Sequence, residues 1–301
     1  MRRAGEGMLI ALLVPLALAS AVYAFLLVRA AMARKQFAVR GEAVVLGAVT
    51  NFFDTLGIGS FAPTMAWFKF RGMVPDRLIP CTMLVGHTLP VMAQAVIFLT
   101  LLGVGVDPVL LVGCAIALVM GGLVGAPLVA KARVWVVQTV VGVALIVAAA
   151  LYALTNLHLM PAGGTAGSLP PMLTIIAIAA NFVLGVLLNF GVGNYAPTLV
   201  MLSLMGMDPR LSFPIMAAGA ALTAAGASVR HIAIGEVDLR ITIGMALGGI
   251  PAVLIAAFVV KAMPVELLRW LVIAVVLYAA VTMLRAAALP KAPLADAPLP
   301  L

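Results

Sequence analysis

Charged residues are scarce in this 301-residue chain: they make up 9% of it, whereas 65% of the residues are hydrophobic and the mean hydropathy is +1.24. A soluble globular domain has about a quarter of its residues charged, so the composition excludes a water-soluble enzyme. Long apolar runs recur from one end of the sequence to the other, which excludes a disordered chain. The length instead allows about eight to ten membrane crossings of about 20 residues each.

Cysteine and histidine are also few. The two cysteines, Cys81 and Cys114, both lie inside apolar runs, which argues against a disulfide framework or a zinc site. The sequence has no His-Glu-x-x-His motif, no facing aspartate pair and no nucleophile elbow, so we expect no enzyme, no metal and no cofactor. The net charge of +8 comes from basic residues scattered between apolar runs, which favours membrane orientation over nucleic-acid binding.

Hydropathy divides the chain into nine apolar segments and a tail that begins at residue 289. The first segment, residues 8–28, is predicted to be a retained transmembrane helix, with a cleaved signal peptide as the alternative. The other eight segments are residues 43–68, 79–102, 109–130, 134–155, 172–204, 212–234, 241–260 and 266–284. We therefore predict an all-α polytopic membrane protein.

Two internal repeats are indicated by one constant offset. Residues 57–64 (GIGSFAPT) align with residues 191–198 (GVGNYAPT), and the same offset aligns Gly72 with Gly206 and Pro75 with Pro209. Repeats in a membrane chain of this size are typical of transporters whose site lies where the repeats meet. The predicted units are an N-terminal helix and basic loop (1–40), repeat 1 (41–156), a linker (157–170), repeat 2 (171–286) and a flexible tail (287–301).

The first segment of each repeat is interrupted by Gly-x-Gly and a proline. Residues 172–204 as one straight helix would be about 50 Å long, more than a hydrocarbon core of about 30 Å. Re-entrant hairpins would place 13 Lys and Arg on the inner side and 5 outside, whereas single crossings would place 8 inside and 10 outside. The positive-inside rule thus favours hairpins, each followed by three transmembrane helices, with repeat 2 inverted. A parallel arrangement of through-going broken helices is the alternative.

Two hairpin tips at membrane depth imply a shared cavity, because irregular backbone is tolerated there only where it is buried or lines a cavity. The helix after each tip begins with free N–H groups and the positive end of its dipole, which suits an anion. The residues predicted to bind this anion are Gly57, Gly59, Ser60, Thr64, Asn189, Gly191, Gly193, Asn194 and Thr198. Helix capping is the alternative role for the Ser and Asn side chains, and a bond to the local backbone is the alternative for Thr.

Asp54 is the only acidic residue deep in an apolar segment, and Leu188 takes its place in repeat 2. Intramembrane carboxylates are usually functional, so we predict that Asp54 couples transport to protons, with a role in fixing the tip as the alternative. Residues expected to line the cavity are Thr55, Phe61, His87, Gln94 and Tyr195.

The doubled Gly-x-Gly tips, followed by Pro63 and Pro197, resemble the TauE/SafE sulfite exporter family over roughly residues 40–286. The resemblance implies a multi-pass bacterial inner-membrane permease for sulfite, sulfonates or related organosulfur anions, driven by the proton gradient and working by alternating access. The family motif usually reads Gly-x-Gly-Gly-Gly before an apolar residue and Pro. Here Ser60-Phe61 and Asn194-Tyr195 replace two glycines in each tip, which leaves the substrate open.

The expected partners are a small anion, protons and membrane lipid, without nucleic acid. An anion channel, an intramembrane enzyme and a homodimer remain as alternatives.

Overall fold

The computed structural model describes residues 2–102, 105–125, 134–157, 164–188, 193–235 and 237–288. These residues form eleven α-helices and the 3₁₀ turn Asp76–Leu78, and their only β-type pairing is an isolated bridge between Ala166 and Met207. The helices are α1 (Arg2–Ala33), α2 (Gly41–Thr55), α3 (Phe61–Arg71), α4 (Ile79–Leu102), α5 (Pro108–Gly125), α6 (Val134–Asn156), α7 (Pro171–Leu188), α8 (Tyr195–Leu204), α9 (Pro209–Ile234), α10 (Leu239–Ala262) and α11 (Val265–Ala288). The predicted all-α fold is confirmed.

Seven helices in the described part of the chain are long and apolar enough to cross a membrane, namely α1, α4, α5, α7, α9, α10 and α11. The apolar stretch of α6, Gln138–Leu154, is shorter, but the whole helix has 23 residues. Large apolar side chains remain exposed on the outer helices, for example Val14, Leu18 and Phe25 of α1. Lipid covers such side chains at no cost, so the chain is a multi-pass membrane protein.

The first broken segment folds back on itself. The Arg71 Nε atom at the end of α3 lies 2.7 Å from the Glu42 Oε1 atom at the start of α2. Trp67 Nε1 donates to the same Glu42 oxygen at 3.1 Å. The two ends of this segment therefore lie at one end of the bundle, as a hairpin requires. We call α2, α3 and the turn between them hairpin 1.

The second broken segment also returns to its starting end. Residue Ala166, shortly before α7, pairs with the chain that follows α8: its N–H donates to Gly206 O at 3.3 Å and its carbonyl accepts from Asp208 N at 3.1 Å. Asp107 N, in the loop after α4, donates to Gly167 O at 3.0 Å. We call α7, α8 and their connection hairpin 2. Its base thus lies at the end of the bundle where α4 finishes.

The two hairpins enter from opposite ends of the bundle, because α4 leads from the base of hairpin 1 to the loop beside the base of hairpin 2. Helix α9 agrees with this arrangement and runs the other way: it starts beside the base of hairpin 2 and ends near the α1–α2 connection. There, Arg34 Nη2 donates to Ile232 O at 2.7 Å. Asp238 N, just after α9, donates to Thr82 Oγ1 at the start of α4 at 3.2 Å.

Each hairpin packs its longer arm against a helix of the other half of the chain: α2 lies along α10 and α7 along α5, while α4 packs on α9 and α6 on α11. Glycine makes these approaches close. A Cβ atom on Gly248 of α10 would lie 1.9 Å from Val44 O of α2, and one on Gly185 of α7 would lie 2.1 Å from Leu118 O of α5. Small residues allow such packing between membrane helices, and any larger side chain at either position would force the helices apart.

Both hairpins end on the same backbone motif. Gly72 and Gly206 have φ angles of 57° and 101°. The next residues donate back into the finished helix, Met73 N to Phe68 O and Met207 N to Leu202 O, each at 3.1 Å. A left-handed residue followed by a bond to the residue five before it closes a helix C-terminus, and glycine takes this conformation without strain.

The boundaries of the proposed repeats and linker stay predictions. The tail from residue 289 and the predicted site residues Asn189 and Gly191 lie outside the described residues.

Candidate functional site

The tip of hairpin 1 is built by two glycines. Helix α2 ends at Thr55, and Gly57 and Gly59 take φ angles of 95° and 89°, which a residue with a side chain adopts only under strain. Gly57 N donates to Asp54 O at 2.8 Å and so tightens the last turn of α2. Helix α3 then starts after Ser60 and runs in the reverse direction.

The tip of hairpin 2 is described from Gly193 onward, with α8 beginning after Asn194. A Cβ atom added to Gly59 or to Gly193 would meet no heavy atom of the described residues within 4 Å. Open space therefore lies beside the described part of each tip. Since α3 and α8 have 11 and 10 residues, they are about 16 and 15 Å long, which is half of a hydrocarbon core.

The tips lie next to each other. A Cβ atom on Gly57 of hairpin 1 would lie 3.7 Å from Leu199 Cδ2 of α8 in hairpin 2. The Tyr195 hydroxyl at the start of α8 is close enough to Asp54 for the two groups to interact electrostatically. The described residues thus bring the starts of the two short arms together inside the bundle.

Neither N-cap side chain caps its helix. Ser60 and Asn194 precede α3 and α8, and neither side chain bonds to an N–H of the helix that follows. Asn194 Nδ2 instead points towards Met216 O of α9 at 3.4 Å. Ser60 and Asn194 therefore do not act as helix N-caps, the usual role of Ser and Asn at this position. The first-turn N–H groups receive no side-chain acceptor from these two residues.

At the two tips, three side chains have buried polar atoms without a hydrogen-bond partner among the described residues. They are Ser60 through Oγ, Gln94 of α4 through both amide atoms, and Tyr195 through its hydroxyl. Ser60 and Gln94 are 1% and 0% exposed. The Tyr195 hydroxyl faces the Gln94 amide, and Ser60 faces the Asp54 carboxyl group. An unpaired buried polar group destabilises a fold by about 1–3 kcal/mol, so a polar ligand that bonds to these groups would stabilise the protein.

Asp54 belongs to the same cluster and is 6% exposed. It sits in the last turn of α2, where the helix dipole opposes a negative charge, and beside the start of α3, where the dipole favours one. The carboxyl group lies beside Ser60 at the start of α3. The carboxyl group is therefore placed between two helix ends of opposite polarity.

His87 of α4 joins the two arms of hairpin 1. Its Nδ1 atom lies 2.9 Å from Asn51 Oδ1, and its Nε2 atom lies 2.9 Å from Thr64 Oγ1. Because Asn51 Nδ2 donates to Gly47 O at 2.7 Å, Asn51 Oδ1 is the acceptor and Nδ1 carries the proton. In the neutral ring, Nε2 then accepts a hydrogen bond from the Thr64 hydroxyl. All three side chains are at most 1% exposed.

Hairpin 2 joins its arms without a histidine. Thr198 Oγ1 of α8 donates to Asn181 Oδ1 of α7 at 3.5 Å, and Asn181 Nδ2 donates to Ala177 O at 2.9 Å. Asn51 and Asn181 were not among the predicted residues. The signal that could have found them is an asparagine in the apolar stretch ahead of each tip.

The remaining predicted residues lie around this centre. The Thr55 hydroxyl bonds to Asn51 O within its own helix at 2.7 Å, which is its alternative role. Phe61 is 45% exposed, and its ring centroid lies 5.6 Å from that of His87. Gly57, Gly59, Gly193 and the side chains of Ser60, Thr64, Asn194 and Thr198 all lie at or just after the two tips.

The fold and this centre define a class: a multi-pass helical membrane protein in which two oppositely directed hairpins meet at a buried polar cluster. The model of the sulfite exporter TauE/SafE family matches residues 173–300, which is less than half of the chain and includes hairpin 2 except for its first two residues. The resemblance seen in the tips is confirmed over that part, and the family is one of membrane exporters. No curated protein and no solved structure matches the chain.

Proposed function

We propose that the protein is a secondary transporter of small oxyanions, namely sulfite, sulfonates or related organosulfur anions, and that it is not an enzyme. The matched family is one of sulfite exporters, which supports export of an anion across a bacterial inner membrane. The observation that carries the proposal is the cluster of Ser60, Gln94 and Tyr195 beside the starts of α3 and α8, whose buried polar atoms are not hydrogen-bonded by the criteria applied to the described residues.

The chemistry of this cluster favours an anion. Two helix N-termini direct their dipoles to one place, and backbone N–H groups of a first helical turn have no acceptor within the helix. Hydroxyl and amide groups add donors of the right reach for oxyanion oxygens. Lys and Arg are absent from the described residues of α2, α7 and α8 and from both described tips, so dipoles and neutral donors would bind the charge.

We propose alternating access between inverted repeats as the mechanism. A twofold axis in the membrane plane would exchange α2 with α7, α4 with α9, α5 with α10 and α6 with α11. The packing pairs agree with such an axis: α2 on α10 corresponds to α7 on α5, and the pairs α4–α9 and α6–α11 map onto themselves. The matched helix ends at Gly72 and Gly206 add support. The two hairpins would then open the site to opposite faces in turn.

Asp54 is the proposed proton-coupling group. An ionised carboxylate beside an anion site repels the substrate, so anion binding and protonation of Asp54 would favour each other. The end of the bundle with Arg34, Lys35, Arg40 and Arg71 would face the cytoplasm by the positive-inside rule. The assembly would be a monomer or a homodimer.

Ligand-induced stabilisation of purified protein in detergent tests the anion site. Sulfite, thiosulfate, methanesulfonate, sulfate and acetate are compared by thermal unfolding, because a ligand that binds only the folded state raises its stability. We expect a sulfur oxyanion to raise the unfolding temperature most. Ser60→Ala should weaken this effect about tenfold in apparent affinity, the loss of one hydrogen bond to a charged ligand.

Ser203→Ala is the matched control, because the Ser203 hydroxyl is equally buried but bonds to Leu199 O in its own helix at 2.7 Å. Counterflow of the stabilising anion in liposomes then separates the mechanisms. Saturable, proton-dependent counterflow supports a transporter, and ohmic current would show a channel. Equal anion affinity in wild type, Ser60→Ala and Ser203→Ala would remove the tip from the site.

A further inference from the structure

Helix α1 lies outside both proposed repeats, but its second half is fixed to the bundle. The Tyr23 hydroxyl donates to Val85 O of α4 at 3.2 Å. Tyr23, Leu27 and Ala31 are spaced four residues apart, which places them on one face of the helix. Each of them is at most 2% exposed. The last turns of α1 therefore have a defined position beside the end of α9.

A groove of about 280 Å³ separates α1 from α9 at this end of the bundle. Its apolar lining comes from one face of each helix, namely Leu26, Ala30 and Ala33 of α1 and Val229, Ile232 and Ala233 of α9. The three alanines have no side chain beyond Cβ, so the space between the helices stays unfilled. Since Ala33 and Ala233 are exposed, the groove opens on the outer surface of the bundle.

Two guanidinium groups, those of Arg29 and Arg34, line the same groove. Arg34 is held at the end of α9, because its Nη2 atom donates to Ile232 O at 2.7 Å. A guanidinium has five N–H donors, so Arg34 keeps donors for a ligand. Arg29 is exposed, and no carboxylate is among the described residues that line the groove. The lining itself therefore does not neutralise this positive charge.

The two arginines lie at the depth that lipid headgroups occupy. The candidate membrane span of α1 ends at Ala33, so Arg34 lies just beyond it, and Arg29 lies about 6 Å before its end. Arginine side chains near a helix end extend towards the membrane interface. Leu26 lies about 4.5 Å deeper than Arg29 along the helix. The groove is thus cationic at the interface and apolar further into the membrane.

We propose that the groove binds one phospholipid with a negatively charged headgroup. The lipid phosphate contacts Arg29 and Arg34, and an acyl chain covers the apolar lining. Basic pockets between transmembrane helices bind such headgroups. A zwitterionic lipid would bring its own cation next to two guanidinium groups, and a free inorganic anion would leave the apolar lining uncovered. This inference goes beyond the proposed transport and does not rest on it.

Native mass spectrometry of the purified full chain in detergent tests the proposal. Phosphatidylglycerol and phosphatidylcholine with identical acyl chains are the probes, and the dissociation constant of the first bound lipid is measured for each. We expect the wild type to bind phosphatidylglycerol at least about tenfold more tightly. Arg29→Gln should reduce this preference about fivefold, the effect of one arginine at a membrane surface.

Arg230→Gln is the matched control for the charge. Arg230 is exposed and lies four residues before the end of α9, as Arg29 does in α1, but it is not among the described lining residues. This variant should keep the wild-type preference within about twofold. Equal binding of the two lipids to the wild type, or equal losses in Arg29→Gln and Arg230→Gln, would overturn the proposal.

Filling the groove tests the contribution of the acyl chain. Ala33→Leu should weaken phosphatidylglycerol binding severalfold without changing the charge. Ala227→Leu adds the same side chain at an exposed position of α9 outside the described lining and should change nothing. Glycerol phosphate, the headgroup without chains, should not compete at millimolar concentration. Unchanged binding in Ala33→Leu, or displacement of the lipid by glycerol phosphate, would overturn a lipid site and leave at most a site for free anions.

Discussion

Hairpins 1 and 2 share a sequence pattern but are held in place differently. In hairpin 1, His87 of α4 bonds to both arms through Asn51 and Thr64 at 2.9 Å each. In hairpin 2, the arms bond directly to each other through Thr198 and Asn181 at the longer distance of 3.5 Å. Hairpin 1 is thus joined to a transmembrane helix by two short side-chain bonds, whereas the Thr198–Asn181 bond joins hairpin 2 only to itself.

The difference indicates a division of roles. The carboxyl group of Asp54 and the histidine bridge both belong to the side of hairpin 1, and Leu188 and Ala221 occupy the positions related to them by the repeat offset. The side-chain bond from hairpin 2 to α9 is the Asn194–Met216 contact at 3.4 Å, near the limit for a hydrogen bond. We therefore expect side-chain hydrogen bonds to hold the tip of hairpin 1 more firmly than the tip of hairpin 2.

The largest expected effect comes from Asp54→Asn, which removes the ionisable group that distinguishes hairpin 1. Proton-driven transport in liposomes should fall to background, while anion exchange without a pH gradient persists because the binding groups remain. Asp107→Asn is the control, since the Asp107 carboxylate accepts from Leu110 N at the start of α5 at 2.9 Å. Full proton-driven transport by Asp54→Asn would leave Asp54 with a role in fixing the tip alone.

The next largest effect is expected from His87→Leu, which breaks the bridge across hairpin 1. Asn51 Oδ1 and Thr64 Oγ1 would both lose their partner in a buried position, so the free energy of unfolding should fall by about 2–4 kcal/mol. Reversible unfolding in detergent measures this loss. A stability unchanged within error would mean that the bridge does not hold hairpin 1.

A smaller effect is expected from Asn181→Leu in hairpin 2, about 1 kcal/mol of unfolding free energy. The bond from Thr198 is long, and its hydroxyl can turn to a carbonyl of its own helix instead. The same unfolding experiment compares it with His87→Leu. A larger loss in Asn181→Leu than in His87→Leu would reverse the comparison between the hairpins.

The smallest effect is expected at the base of hairpin 1. The Glu42 and Arg71 side chains are 36% and 52% exposed, and exposed ion pairs stabilise little. Glu42→Gln should leave the unfolding temperature and its dependence on salt unchanged, in a thermal series from low to high ionic strength. A clear drop at low salt alone would show that this pair clamps the two arms.

Much of the fold follows from local sequence, because hydropathy and backbone breakers act within a segment. The predicted segment 79–102 is α4 itself, and hairpin 1 breaks at Gly57 and Gly59, which the repeat singled out. The starts of helices with a polar first turn were predicted less accurately. Helix α9 begins at Pro209, not at residue 212, because Asp208 accepts a hydrogen bond from Arg210 N at 2.9 Å and caps the helix.

The site was predicted in part. Glycine and proline mark the two tips in the sequence, but the side chains that contact the tips come from distant segments. Gln94 and His87 were placed near the cavity, but nothing in the sequence pairs His87 with Asn51, which lies 36 residues away. Such contacts depend on how α4 is rotated against hairpin 1. That rotation is set by packing in three dimensions, which periodicity along one helix does not encode.

The close contacts at Gly248 and Gly185 have a consequence for the two halves of the gene product. Because α10 packs closely on α2 and α5 on α7, each half of the chain completes its core only with helices of the other half. Either half made alone would expose the surface that the other half covers. Fragments cut in the linker should accumulate only when they are produced together, as a split transporter reassembled from two polypeptides.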